Sequence, residues 1–387
     1  MANTPTLPVR VGVVGGGQLA RMMGDEAHGV GVELTVLASS ADDSAVETAD
    51  HVLVGAPHDE GALAQLRRST DVITFDHELV DLDLLSRLEA AGAVVRPSTA
   101  ALRHSVDKSF QRVDFAAAGF PVPDFTIIRD STHLALVEHW TRTHGAPPVL
   151  KLARGGYDGR GVLFPDDDAQ ASTMARELLS LGVLVVEERV TLLSEVAQLV
   201  VRSVAGDVVS YPLVTTVQSA GMCAEVHFPA AVSDELAREA RDLGEQIARH
   251  IGLIGVMAVE FFVTPRGLLV NELALRPHNS GHWTIEGATT SQFANHLRAV
   301  SGQSLGSAAA TCDGAVMVNV VGAAAPGSLD AARQVPGVVV HDYGKSWRPG
   351  RKLGHVTAVA REGEDLTALH VRAWESARAY GTTTRET

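Results

Sequence analysis

The stretch 11–24, "VGVVGGGQLARMMG", limits the folds open to this chain more than any other. An apolar run passes through three glycines directly into a helical pattern, the order of a strand–turn–helix unit in a parallel sheet. The runs "VELTVLA", "HVLVG", "DVITF" and "AVVRPS" repeat the theme as strands, with helices predicted over 18–28, 59–69 and 81–91. Near-continuous apolar strands alternating with amphipathic helices imply a sheet covered on both faces, a Rossmann-like first domain.

The turn itself, Gly15-Gly16-Gly17-Gln18-Leu19-Ala20, fits the dinucleotide pattern G-x-G-x-x-G/A. An NAD site also needs an acidic side chain at the end of the second strand to take a ribose hydroxyl. That strand ends in "LASS", with no carboxylate before Asp42, so an NAD oxidoreductase is disfavoured. A glycine turn opening a helix still suits a phosphate, because the free N–H groups and helix dipole face the anion. The expectation is a phosphomonoester site with Gln18 and Leu19 at its rim; a tight turn that binds nothing is the competing reading.

Near Ser105 the pattern changes. A charged helix over 105–119 precedes "PPVLKLA", a glycine loop, a helix around 169–181 and the strand "LVVEERV". Strands are expected at 195–204 and 207–213, a long helix over 233–250, and then the hairpin "VMAVEFFVTPRGLLVNELAL". From Gly314 come "AVMVNVVG", "GVVVHDY" and "HVTAVA", then a helix over 365–379 and a frayed tail. With 387 residues two or three domains are expected, here 1–104, 105–313 and 314–387. The fold class is mixed α/β and α+β: a parallel-sheet domain, a two-lobed central region and a small strand-rich C-terminal domain.

A formal net charge of −14 argues against sequence-independent nucleic-acid binding, and no uninterrupted apolar run reaches membrane-spanning length. Cys223 and Cys312 give neither a disulfide framework nor a zinc spacing, and read as buried thiols in a reducing cytoplasm.

Three segments carry chemistry. In "KLARGGYDGRG", Lys151 ends a strand ahead of Gly155, Gly156, Gly159 and Gly161, with Tyr157, Asp158 and Arg160 between them. Such a loop folds backbone N–H groups over a polyphosphate while the lysine supplies a point charge. No Walker motif occurs. The second segment is the hairpin, where a three-residue loop of Pro265, Arg266 and Gly267 pairs Thr264 with Leu268 and sets Glu260 opposite Glu272. Facing carboxylates on an apolar sheet repel, and a hard divalent cation such as Mg²⁺ relieves that cost. Asn271 stands beside them. The third, "RPHNSGHW", crowds Arg276, His278 and Asn279 where the strand leaves the core, and Arg276 suits a small planar oxyanion. With Lys151 these three make the candidate catalytic set.

These segments, with "GGGQLARM" near the start and "RPGRKLGH" near the end, resemble the ATP-grasp superfamily. More narrowly they resemble the 5-(carboxyamino)imidazole ribonucleotide synthases of purine biosynthesis. The resemblance covers most of the chain. It implies an ADP-forming ligase that uses ATP as co-substrate to carboxylate aminoimidazole ribonucleotide with bicarbonate. It implies that Lys108 and Lys151 meet the ATP phosphates, with the glycine loop over them. Glu187, Glu188 and Val190 would lie at the adenine edge, Glu195 on the ribose, Asn271 in the ATP site, and Glu260 and Glu272 on Mg²⁺. Gln18, Leu19, Asp76, Asp158, Arg160, Lys345, Arg348, Arg351 and Lys352 would hold the ribonucleotide. A cytoplasmic homodimer is implied in the same way. The sequence departs from the family at Asp76-His77-Glu78-Leu79, where Glu-Phe-Glu-Asn is usual, and at Gln218, Thr215 and Leu275. Activity is expected to survive these changes. Another ATP-grasp carboxylate–amine ligase and a non-catalytic nucleotide sensor are the alternatives.

Overall fold

In the computed structural model the described residues are 8–156, 161–219, 221–323, 325–361 and 363–382. Strands β1 (Val9–Val14), β2 (Val32–Ala38), β3 (His51–Val54) and β4 (Val72–Phe75) form a parallel sheet in the order 3-2-1-4. Their apolar side chains are buried almost throughout β1, β2 and β4, as expected for strands covered on both faces. Helix Gln18–Ala27 connects β1 to β2, Glu60–Ser69 connects β3 to β4, and Leu82–Ala90 follows β4, the last two capped by Asp59 and Asp81. The predicted strand "AVVRPS" is reduced to a single bridge between Ile73 and Val95, because Pro97 has no N–H to continue the ladder.

The single charged helix expected over 105–119 is two helices. Thr99–Val106 stops at Asp107, whose carboxylate accepts from the Phe110 N–H and so starts Lys108–Ala118. Gly119, at φ +80°, closes the second.

A small antiparallel sheet follows, made of β5 (Phe125–Ile128), β6 (Val149–Leu152), β7 (Val162–Leu163) and β8 (Leu184–Glu187), in the order 5-8-6-7. It packs on helix Asp168–Leu179 around Ile128, Trp140, Leu150 and Val186, a core separate from all the others.

The remaining strands share one large sheet: β9 (Ser194–Arg202), β10 (Val208–Ser210), β11 (Val214–Ser219), β12 (Met222–Phe228), β13 (Gly255–Thr264), β14 (Gly267–Ala274), β15 (Ala315–Val321), β16 (Val338–Asp342) and β17 (Lys352–Val359). The order is 14-13-9-11-12-15-17-16, with β10 paired to β9, so the C-terminal strands extend the central sheet. The strand expected over 207–213 stops at Ser210, two residues before Pro212, and β11 and β12 add a pair not foreseen. One core runs from Phe75 and Leu102 to Val196, Met257 and Phe261, welding the N-terminal sheet to the central one. Cys223 is buried, while Cys312 is only half-buried; both are free thiols. No helix among the described residues is long and apolar enough to cross a membrane.

Candidate active site

Strands β13 and β14 set the register of the site. Glu260 pairs with Glu272 as predicted, but by another route. Thr264 pairs with Gly267, which would put Glu260 opposite Asn271; a bulge beside Phe261 then leaves Asn271 as the extra residue and restores the carboxylate pair. Two residues opposing one turns consecutive side chains toward the same neighbours. Asn271 Oδ1 accepts from Lys151 Nζ at 3.3 Å, and Glu272 Oε1 pairs with Lys108 Nζ at 2.7 Å.

The pair is asymmetric. Glu260 is the more enclosed, its side chain 18% exposed, and its carboxyl is pushed up to about 8 by burial, then by Glu272 and Glu195. Burial also acts on Glu272, but Lys108 outweighs it and holds that carboxyl below its usual value. At 42% side-chain exposure Glu272 is less buried than the apolar strand suggested. Glu195, beside Gln218, is raised by burial as well. Lone pairs without enough cations are the donor set that a hard divalent cation takes.

His278 leans on the same group. The Ser280 N–H points at His278 Nδ1 from 3.3 Å, which makes Nδ1 the acceptor and leaves Nε2 protonated, 3.5 Å from Glu260 Oε1. Burial, followed by Arg276 and Lys352, lowers His278 to about 3, so it stays a neutral donor. Gln292 fixes its backbone by accepting from the His278 N–H at 2.9 Å and donating to its carbonyl at 2.7 Å. Asn279 opens the short turn that follows, half-buried. Arg276 Nε donates to Glu78 Oε2 at 2.6 Å, so the guanidinium edge expected to receive an oxyanion is already occupied by a carboxylate.

Lys151 sits on β6 and is buried. Its Nζ lies 2.7 Å from Glu187 Oε2, while Arg112 Nε donates to Glu187 Oε1 at 2.8 Å. Arg112 also donates to the Asn271 carbonyl at 2.7 Å, tying helix, small lobe and bulge together. Burial raises Glu187, but the two cations overcome it and hold the carboxyl at about 2. Burial depresses Lys151, with Glu187 working against it. The Glu187 side chain is therefore committed inward, and only its backbone remains for a ligand. Glu188 reaches Arg266 at 2.5 Å, and Val190 lies half-buried beyond the end of β8.

The glycine loop joins β6 to β7. Gly155 and Gly161 both have φ +77°, which side-chain-bearing residues seldom adopt, and Gly156 follows Gly155 directly. Tyr157, Asp158, Gly159 and Arg160 lie outside the described residues. The Lys108 N–H donates to the Ala153 carbonyl at 2.8 Å, so the loop starts against the helix that carries Lys108.

At the opposite end, the N-terminal turn is closed by the protein's own acids. Asp76 Oδ2 accepts from the Gly17 N–H at 2.5 Å, and a Cβ on Gly15 or Gly17 would collide with that carboxylate. A Cβ on Gly16 would collide with Asp43. One of the helix's free amides is thus taken, and Leu19 turns its side chain into the core, leaving only its backbone at the rim. Asp76 Oδ1 is buried and accepts no hydrogen bond among the described residues, its nearest cationic neighbour being His77 Nε2 at 3.8 Å. Lys345 Nζ donates to Gln18 Oε1 at 2.6 Å, which brings the C-terminal basic run to this turn. Arg351 is held by Ser346 Oγ at 2.8 Å, Arg348 is exposed, and Lys352 begins β17. Arg112 and Gln292 were not singled out in the sequence, and Glu78 was named there only within the run 76–79, without a role. Arg112 carried a faint signal, a charge amid the apolar face of its helix; Gln292 carried none.

A small antiparallel lobe closing on a carboxylate-bearing sheet, with lysines from both sides, defines an ATP-grasp enzyme, an ADP-forming ligase. The family models agree in order along the chain. Residues 9–105 match the ribonucleotide synthetase preATP-grasp domain, 113–293 the ATP-grasp domain, and 315–369 the phosphoribosylaminoimidazole carboxylase C-terminal domain. The N5-carboxyaminoimidazole ribonucleotide synthase of Mycobacterium tuberculosis is 47% identical over 382 residues, 96% of this chain and 88% of that one. The Thermus thermophilus synthetase structure superposes with a TM-score of 0.86 at 34% identity, covering 97% and 100% of the two chains. The Aspergillus clavatus synthase, solved with ADP and 5-aminoimidazole ribonucleotide, gives 0.86 at 30% identity, covering 96% and 99%. The chain belongs to the N5-carboxyaminoimidazole ribonucleotide synthase family.

Proposed function

We propose that the chain uses ATP and bicarbonate to carboxylate the exocyclic amine of 5-aminoimidazole ribonucleotide, releasing ADP and phosphate. The observation that carries this reading is the junction at Gln18. Lys345 from the C-terminal run, Asp76 from β4 and the glycine turn meet there, and Arg276 next to the carboxylate hairpin acts electrostatically on the same Asp76. A phosphorylated ribose lying in that junction extends its base toward the hairpin. Lys345 is lowered to about 8, by burial first, and by Arg351 next. An incoming phosphate dianion repays that cost, and Asp76 Oδ1, which accepts no hydrogen bond among the described residues, suits a ribose hydroxyl.

Glu260 and Glu272 would hold Mg²⁺, which when bound neutralises phosphate charge during transfer. Lys108 and Lys151 place two further cations on the polyphosphate, and phosphoryl transfer depends on such positioning more than on covalent help. Neutral His278 donates to Glu260 and fixes its orientation. The glycine loop covers the reacting groups, and exclusion of water protects the labile carboxyphosphate. We place the enzyme in the cytoplasm as a homodimer, as the resemblance in its sequence implies, and light scattering and fractionation check this directly.

An ADP-release assay with bicarbonate, with and without aminoimidazole ribonucleotide, tests the reading. Release that requires both co-substrates is expected. Release with a different amine would make this another ligase of the class, and no release with any amine would make it a sensor.

A further inference from the structure

We propose that His104, Asp114 and His250 form a second cation site, separate from the carboxylate hairpin, selective for a first-row divalent ion of the Zn²⁺ type. The three come from three helices, Thr99–Val106, Lys108–Ala118 and Asp234–His250. Their nearest donor atoms all lie within 4.8 Å of one another.

The protonation pattern points to a cation. His104 Nδ1 lies 3.2 Å from the Ala101 carbonyl oxygen, which can only accept, so Nδ1 carries the ring proton. A neutral His104 then presents a bare lone pair at Nε2, 3.1 Å from Asp114 Oδ2, another acceptor. His250 Nε2 reaches the same oxygen from 2.6 Å. Lone pairs converging in this way need a positive charge between them, a metal ion or a second ring proton. A backbone carbonyl on the far nitrogen is also how metal-bound imidazoles are held in orientation.

The geometry needs little change. Ligand atoms about 2.1 Å from a tetrahedral ion stand about 3.4 Å apart, close to the His104–Asp114 separation. Asp114 Oδ2 must draw back from His250, and Asp114 is partly exposed; the two imidazole nitrogens, within 4.8 Å of each other, would close on the ion. Both rings lean on fixed aromatic surfaces, His104 stacked on buried Phe115 at 5.8 Å and His250 edge-on to Phe120 at 5.4 Å. His104 is buried and His250 opens to solvent, which gives the ion an entry path and a water-filled fourth position. Two imidazoles and one carboxylate favour Zn²⁺ over the hard ions Mg²⁺ and Ca²⁺. The ion would staple the long helix behind the central sheet to the helix that carries Lys108 and Arg112.

The test titrates Zn²⁺ into the full chain against a chromogenic chelator, with Mg²⁺ in excess to occupy the carboxylate hairpin. The variants are H250A and D114N, both changed at partly exposed positions that spare the core. H370A, in the separate Glu225–His227–His370 cluster, is the control. The parent and H370A should bind one equivalent that H250A and D114N bind about a hundredfold more weakly. Zn²⁺ should raise the melting temperature of the parent and H370A but not of H250A. Absence of micromolar binding in the parent would overturn the proposal and leave the trio a protonated ion pair. Unchanged binding in both H250A and D114N would overturn it as well.

Discussion

Two charge clusters meet at the root of the hairpin, and they are built on opposite plans. In the Arg112–Glu187–Lys151 triad, two cations enclose one carboxylate so completely that it is held at about 2. In the Glu260–Glu272 pair, Lys108 pairs directly with Glu272 alone, and Glu260 rises to about 8. The first cluster is balanced within the chain and fixes where Lys151 stands. The second is left short of positive charge, the condition under which the proposed Mg²⁺ would bind.

The sharpest way to break this contrast is Glu272→Gln. ADP release should fall by roughly a thousandfold, with an unchanged circular dichroism spectrum. Near-normal turnover with normal Mg²⁺ dependence would show that the pair is no ligand. Arg112→Met addresses the other cluster and should lower unfolding free energy in urea by on the order of 3 kcal/mol, because Glu187 stays buried with half its counter-charge. Adding Glu187→Gln should return part of that loss, and an additive double variant would refute the coupling. Lys345→Ala lies outside both clusters. It should raise the KM for the ribonucleotide about tenfold, the size of one charge-assisted contact, and leave the KM for ATP alone. A collapse of ATP affinity instead would place the basic run at the nucleotide. The smallest effect is in pH. Below about 8 a proton on Glu260 competes with Mg²⁺, so apparent Mg²⁺ affinity should rise with pH, by no more than about tenfold per unit, and level off above that value. A flat calorimetric profile between pH 6 and 8 would remove Glu260 from the metal set.

The parts of the site readable in the sequence were those whose logic is local. Turn residues, strand period and lysine-before-glycine spacing placed Glu260, Glu272 and Lys151 before any fold was known. The hairpin pairing nevertheless arrived through the bulge at Asn271, since a turn pattern does not reveal where a ladder slips. Contacts that close across the chain leave no local trace: Arg112 and Glu187 are 75 residues apart, and the approach of Lys345 to Gln18, 327 residues away, was expected only from the phosphate that both would serve. The pairing of Arg276 with Glu78, 198 residues away, is of the same kind. Strands β11 and β12 escaped because polar residues interrupt them and their burial comes from neighbours on both sides.

The independent core of the small lobe has a kinetic consequence. Its apolar cluster shares no residue with the central one, and its ties to the body are polar: Arg112 to Glu187, Asp107 to Arg154, and Arg266 to Glu188. Such a unit opens as a block, at a lower free energy than the welded sheets beneath it. Amide hydrogens of β5, β6 and β8 should therefore exchange together and ahead of those in β9 and β13. Nucleotide should slow the first group and leave the second untouched, so that part of the binding energy for ATP appears as local order in this one lobe.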